Sequence, residues 1–238
     1  MNIPLTPLRC LRYAEQQYSH RTAVVCGKER FTYREFADRA ARLGGALKNA
    51  GVMPGNRVAF LSMNCHRLLE AYYRVLEVGA VLLPLNVRLA SQELAYILND
   101  SGAKVLFLEK EFLNLVGSFR KNLSTVESFL LLDGSAQADW LSPHSYEDLL
   151  AAASPRQADI MEIDEDAVAE LFYTSCTSAN PKGVMLTHRN IYLHALNVCL
   201  TFDPTRDFAQ LHTIPLFHAN GWGVAHILAL IGGKHVIL

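Results

Sequence analysis

The chain has no long apolar run. Its greasiest stretches, such as VGAVLLPL and VAHILALIGG, fall well short of the roughly 20 residues a helix needs to cross a bilayer, so no membrane span is expected. The opening MNIPLTPLRCLRYAEQQYSH lacks a continuous apolar segment behind a basic end and does not read as a signal peptide. Neither sign of charge is in excess: 22 Lys and Arg against 23 Asp and Glu give a formal net charge of -1. With no basic run or stripe, the electrostatic case for nucleic acid fails. A small molecule or a protein becomes the expected partner. Cysteine is scarce and scattered, at Cys10, Cys26, Cys65, Cys176 and Cys199. No C-x-x-C pair and no Cys/His cluster at zinc spacing is present, which removes a zinc module or disulfide framework. The odd set reads as reduced thiols in a cytoplasmic protein. Internal repeats and low-complexity tracts are also missing.

What remains is a chain of 238 residues, half of them hydrophobic, able to bury a real core. Strand-like and helix-like patterns alternate along it. Residues 6–18 read as an opening helix. TAVVCG and ERFTY read as a hairpin through Gly27-Lys28. Thr32-Tyr33-Arg34-Glu35 fits a capping box, and the helix it opens has a stop at Gly51. RVAFLS, VLLPLN, KVLFLE and SFLLLD read as buried strands separated by helical stretches. Near-continuous apolar strands belong to parallel sheets covered on both faces, so the expected class is α/β, with a mainly parallel sheet flanked by helices. Residues 133–165, which hold the short helix candidate YEDLLAAA and the acidic patch EIDED, read as a surface connection. This divides the chain into a first α/β subdomain over 1–165 and the start of a second over 166–238. In the second part AVAELFYTS reads as a strand, THRNIYLHALNVCL as a helix, QLHTIPLF as a strand, GWGVAHILALIG as a helix and HVIL as a last strand. A strand at 235–238 standing at a sheet edge would favour self-association into a homo-oligomer.

The loop after AVAELFYTS has the ingredients of an anion cradle. A strand-to-helix loop lies at the carboxyl end of a parallel sheet, where such folds bind ligands. A helix starting near Thr187 would turn its free N–H groups toward the same place. Ser175, Thr177 and Ser178 offer hydroxyls, Asn180 and Pro181 shape a turn, Lys182 carries a positive charge, and Gly183 allows close approach of the backbone. The loop is not a Walker A sequence. On residue types alone, an anion cradle and an ordinary polar loop with one solvated lysine both stay open.

The stretch YTSCTSANPKGVMLTHRN resembles the signature loop of the adenylate-forming superfamily, which includes the acyl-CoA synthetases. Tyr173, Thr174, Ser175, Thr177, Pro181, Lys182, Gly183 and Val184 match its pattern, and Ser178 is a mild change. AVVCGKERFTYREFADRAARLGGALKNAGVMPGNRVAFL, EVGAVLLPLNVRLASQELAYILNDSGAKVLF and PLFHANGWG resemble further family segments in the same order. The resemblance covers nearly the whole chain and is strongest to the fatty acyl-CoA synthetases. It implies the large N-terminal domain of such an enzyme and a two-step ligation. ATP and a carboxylic acid, here a fatty acid, give an acyl-adenylate and pyrophosphate, and coenzyme A then takes the acyl group. The resemblance places Thr174, Ser175, Thr177, Ser178, Asn180 and Gly183 around the β- and γ-phosphates. Thr174 or a neighbouring hydroxyl would meet Mg2+, and Lys182 would face developing negative charge. His218 would lie near the carboxylate, with Asn220 and Gly221 in the pocket wall and Trp222 at the mouth of an acyl tunnel. A turn histidine and a packing tryptophan are the plainer alternatives for His218 and Trp222. His188 reads as structural, and Cys176 as no nucleophile, since no base is placed to activate it.

Two departures matter. Cys176 and Ala179 stand where the family has glycine, and a Cβ there hinders a left-handed backbone. The family's aromatic-Gly-x-Thr-Glu segment, its ribose-binding Asp and its lid lysine have no counterpart within residues 1–238. The chain is therefore expected to be inactive on its own as the N-terminal part of an acid–thiol ligase. The alternative is a degenerate, non-catalytic relative that acts by binding.

Overall fold

A computed structural model describes residues 3–134, 138–156, 159–174, 180–202 and 204–238, apart from the side chains of Ala219, Asn220 and Trp222. In chain order the elements are α1 (Leu8–Gln17), β1 (Thr22–Cys26), β2 (Glu29–Thr32), α2 (Tyr33–Asn49), β3 (Arg57–Leu61), α3 (His66–Glu77), β4 (Val81–Pro84) and α4 (Ser91–Ser101). There follow β5 (Ala103–Leu108), α5 (Leu113–Phe119), β6 (Ser128–Leu131), α6 (Tyr146–Ala152), β7 (Val168–Thr174), β8 (Lys182–Thr187), α7 (His188–Phe202), β9 (Ala209–Leu211), α8 (Ala219–Ile231) and β10 (Lys234–Ile237).

The local signals act as read. Gly27 takes a φ of 56° in the β1–β2 turn, a conformation that costs glycine nothing. The Thr32 side chain accepts from the Glu35 amide while Glu35 answers the Thr32 amide, so α2 starts on a full capping box.

The strands form two sheets. One has the order β6-β5-β3-β4-β7-β8, parallel throughout except for the β7–β8 pair. Its buried strands alternate between two apolar layers. Val58 and Phe60 face the core formed with α1, α2 and α3, while Ala59 and Leu61 face the core under α4 and α5. This two-sided burial is why these strands read as unbroken apolar runs. The other sheet has the order β2-β1-β10-β9. Pairing crosses residue 165 in both sheets, β4 with β7 and β1 with β10.

Two expectations change. The strand at 235–238 is not an edge: β10 lies between β1 and β9, parallel to both. Its neighbours come from far away in sequence, so no local pattern announces them. The 133–165 connection is also more than a surface strap. Tyr146 is wholly buried, and its hydroxyl donates to Glu70 Oε2 at 2.5 Å. The adjoining Glu147 carboxylate receives both terminal nitrogens of Arg39 at 2.9 and 3.0 Å. Such a bidentate pair fixes α6 on α2 and α3 with direction as well as charge. Among the described residues no helix is long and apolar enough to cross a membrane.

Candidate active site

β7 runs buried through the sheet and emerges at Tyr173 and Thr174. The chain then returns as β8 before α7 begins, in the register Thr174↔Lys182 and Tyr173↔Gly183. The phosphate-loop candidate is therefore the tip of a hairpin, not a strand-to-helix loop. Thr187 does cap α7, exchanging hydrogen bonds with Asn190 at 3.1 and 3.2 Å. But Thr187 pairs with Val168 at the far end of the hairpin, about 20 Å away at the usual rise per strand residue. The α7 dipole cannot serve the loop. What draws the chain into a strand is the run Gly183-Val184-Met185-Leu186 pairing along β7, ahead of the cap.

The hairpin mouth brings together Thr174, Asn180, Lys182 and Gly183. Ser175, Thr177 and Ser178, with Cys176 and Ala179, lie outside the described residues. Thr174 and Lys182 are exposed, and among the described residues no acid pairs with Lys182. Gly183 earns its place sterically. A Cβ there would stand 3.0 Å from Leu171 Cδ1 and 3.3 Å from the Tyr173 ring, so glycine lets Tyr173 lie across the opposite strand. The Tyr173 hydroxyl donates to Asp100 Oδ2 at 2.6 Å, and Tyr96 reaches the other oxygen at 3.3 Å. Burial first, and Asp100 second, push the Tyr173 phenol well above its ordinary range, so it stays a donor. α4 thus anchors the hairpin next to its mouth. The sequence reading missed this contact. Tyr96 and Asp100 do stand at helical i,i+4 spacing, but nothing local ties them to a tyrosine 73 residues on.

The second group lies at the start of α8. Leu216 and Phe217 are buried and His218 is exposed. Asn64, between β3 and α3, holds the approach: its Nδ2 donates to the carbonyls of His212 and Ile214 at 3.1 Å each, and its Oδ1 accepts from the Leu216 amide at 2.6 Å. The Tyr72 hydroxyl donates to Leu216 O at 2.6 Å and that of Tyr73 to Ala225 O at 2.9 Å. Gly221 donates its amide to His218 O at 2.8 Å, and a Cβ there would collide with the Pro215 carbonyl. Its freedom from a side chain shapes the turn itself. The backbones of Asn220 and Trp222 belong to the first turn of α8. His188 is buried and shares a 3.0 Å hydrogen bond with Thr6 Oγ1; burial holds its imidazole down at about 4, in keeping with a structural part.

A cavity of about 660 Å3 opens at the starting ends of β3, β4 and β7, between Arg57, Glu77, Val168 and His188. It is at the opposite end of the strands from Thr174, whereas ligands of parallel sheets gather at the carboxyl ends. Geometry therefore favours the hairpin mouth and the His218 turn. Among the described residues no group of three or more His, Cys, Asp or Glu could hold a metal ion.

Comparison with known proteins gives a consistent result. The family profile described as AMP-binding enzyme matches residues 11–238. A long-chain-fatty-acid–CoA ligase of Thermus thermophilus is 39% identical over 211 residues, which cover 87% of this chain and 38% of that protein. A peroxisomal benzoate–CoA ligase of Arabidopsis thaliana is 32% identical over 248 residues, covering 100% and 43%. The crystal structure of the anthranilate CoA ligase AuaEII in complex with anthranoyl-AMP superimposes with a TM-score of 0.91 at 23% identity, over 100% of this chain and 46% of that one, and shares its fold. The chain spans under half the length of these relatives.

Proposed function

Given that the chain belongs to the AMP-binding enzyme family, we propose that it supplies the phosphate grip and part of the acid pocket of an ATP-dependent acid–CoA ligase. The carboxylate of the acid attacks the α-phosphorus of ATP, and pyrophosphate leaves. The thiol of coenzyme A then attacks the acyl carbon, and AMP leaves. The acid is a fatty acid on this reading, because the Phe217-His218-Ala219-Asn220-Gly221-Trp222 turn is most like that of fatty acyl-CoA synthetases.

The observation that carries the reading is the hairpin mouth. Lys182 stands exposed beside the Thr174 hydroxyl, with no described acid to neutralise it. That donor set fits a phosphate, and a fixed cation there faces the charge that gathers on departing pyrophosphate. Thr174 offers one neutral oxygen to Mg2+. An ion of that kind ordinarily draws its other oxygens from phosphate and water, which accords with the lack of a carboxylate cluster among the described residues. When bound, it would neutralise phosphate charge.

Calorimetric titration of the chain with ATP and Mg2+ tests the grip. Lys182→Ala is expected to weaken ATP binding at least tenfold, about 1.4 kcal/mol, without lowering the thermal midpoint. Equal affinity of wild type and variant overturns the assignment. Calorimetric titration of C4 to C18 acids and of benzoate in the presence of ATP tests the substrate class, since no carboxylate-dependent ATP–pyrophosphate exchange is expected from residues 1–238 alone. A preference for benzoate over every alkyl acid would replace the fatty acid reading.

A further inference from the structure

Glu170 stands inside β7 at a position where an apolar residue would be expected. Its side chain is fully buried, its register partner on β4 is Leu82, and neither carboxylate oxygen has a hydrogen-bond partner among the described residues. The nearest basic group is on α8: His226, also fully buried, with Nε2 3.6 Å from Glu170 Oε1. The Tyr72 and Tyr73 rings stand edge-on to His226, at 89° and 84°. Their hydroxyls are spent on the carbonyls of Leu216 and Ala225. They line the box without supplying a donor to the carboxylate.

A lone ion in such a box would cost several kcal/mol or more. One proton shared between carboxyl and imidazole lowers that cost, most in the arrangement of acid beside neutral base and less as carboxylate beside imidazolium. Burial pushes Glu170 well up and His226 down to about 3, which favours the neutral arrangement. Among the described residues, His188 and His194 on α7 and His235 on β10 also lie close enough to interact with His226. His188 is engaged by Thr6 and His235 by His212 at 2.8 Å, while His194 packs against Gly223.

The pair joins the two elements that carry the halves of the candidate site, β7 and α8. Glu170 is four residues before Thr174 on the same strand, and His226 is eight residues after His218, on the helix that follows that turn. We propose that Glu170 and His226 form a proton-sharing link that positions the His218 turn relative to the Thr174–Lys182 mouth, and so sets the spacing between the bound acid and the phosphates. They are positioning residues: neither side chain is exposed to a ligand. The proposal rests on the function proposed above for its consequence, though not for the link itself.

The test has two arms, both on the full chain. In the first, histidine is labelled with 15N and glutamate with 13C at the side-chain carboxyl. The wild type is expected to show His226 as one tautomer that does not titrate between pH 5.5 and 8. A Gln amide can donate to or accept from the imidazole, so Glu170→Gln should preserve that signature, whereas Glu170→Leu should change it. Unchanged His226 nitrogen shifts in Glu170→Leu overturn the link. Should Glu170→Leu fail to fold, the Glu170 carboxyl carbon in His226→Gln decides: an unmoved shift overturns the proposal as well. In the second arm, decanoate is titrated in the presence of ATP. Glu170→Leu should weaken decanoate at least tenfold with ATP affinity within twofold, and Glu170→Gln should restore it to within threefold. Equal losses in Gln and Leu overturn the positioning role. If the wild type binds neither probe, the proposed function falls while the spectroscopic arm still decides the link.

Discussion

Cys176 and Ala179 are the two residues whose chemistry departs most plainly from the loop they resemble. A Cβ in a left-handed conformation costs on the order of 1–2 kcal/mol per residue. If the bound loop needs that conformation at both positions, Cys176→Gly with Ala179→Gly should tighten ATP by about 30–900-fold, the equivalent of about 2–4 kcal/mol. Unchanged affinity by calorimetry would mean that this loop does not hold phosphate. The residues beside it could be singled out because their motif is contiguous, but it is the unforeseen β7–β8 pairing that brings Thr174, Lys182 and Gly183 together at the mouth. Asp100 was not legible as part of the site, since its bond to Tyr173 spans 73 residues. Glu170 was hidden differently. One acid in AVAELFYTS does not disturb an apolar strand pattern, and its burial depends on α8 arriving from later in the chain.

At the scale of elements, capping and turn chemistry were readable and pairing was not. The Thr32–Glu35 box and the Gly27 turn act over three or four residues. β8 was missed because Gly183-Val184-Met185-Leu186 is too short to declare a strand by its own period, and a strong helix cap follows it directly. The run becomes a strand by pairing with β7. The approach to α8 shows the converse, a segment with little regular structure in which one side chain makes three of the anchoring hydrogen bonds. Asn64 satisfies two carbonyls and an amide across three positions of that segment. Asn64→Ala should therefore lower stability by about 1–3 kcal/mol and speed amide exchange at Leu216. A loss below about 0.5 kcal/mol, the scale of an ordinary surface change, would show that the segment is held without Asn64, by contacts such as the Tyr72 hydroxyl on Leu216 O.

For the whole molecule, the histidines set the response to acid. Burial is the leading cause that holds His66 and His226 at about 3 and His188 and His212 at about 4. An unfolded histidine titrates near 6.5, so between that pH and 4 the unfolded chain binds more protons. Stability from these groups is full above pH 6.5 and drains as pH falls toward their folded values. Glu70, Glu109 and Glu170 are shifted up by burial and act in the opposite sense, losing stability as pH rises above the ordinary carboxyl value. The depressed histidines outnumber them. The thermal midpoint should fall from pH 7 to pH 4.5, and a flat profile over that range would contradict the burial of these rings. The α/β class and its parallel character were legible at this scale because two-sided burial writes itself into every strand. The division into two sheets was not, since β1 and β10 meet from opposite ends of the chain.

That meeting has a bearing on how the polypeptide is made. β1 leaves the ribosome long before its parallel neighbour, for Val24 pairs with His235 far along the chain. At about 5–20 residues per second, roughly 10–40 s pass between them. During that interval β3, β4, β5 and β6 can already assemble, while the β1–β2 ribbon waits with one edge bare. Until β10 arrives, that bare edge is open to pairing with a strand from another chain.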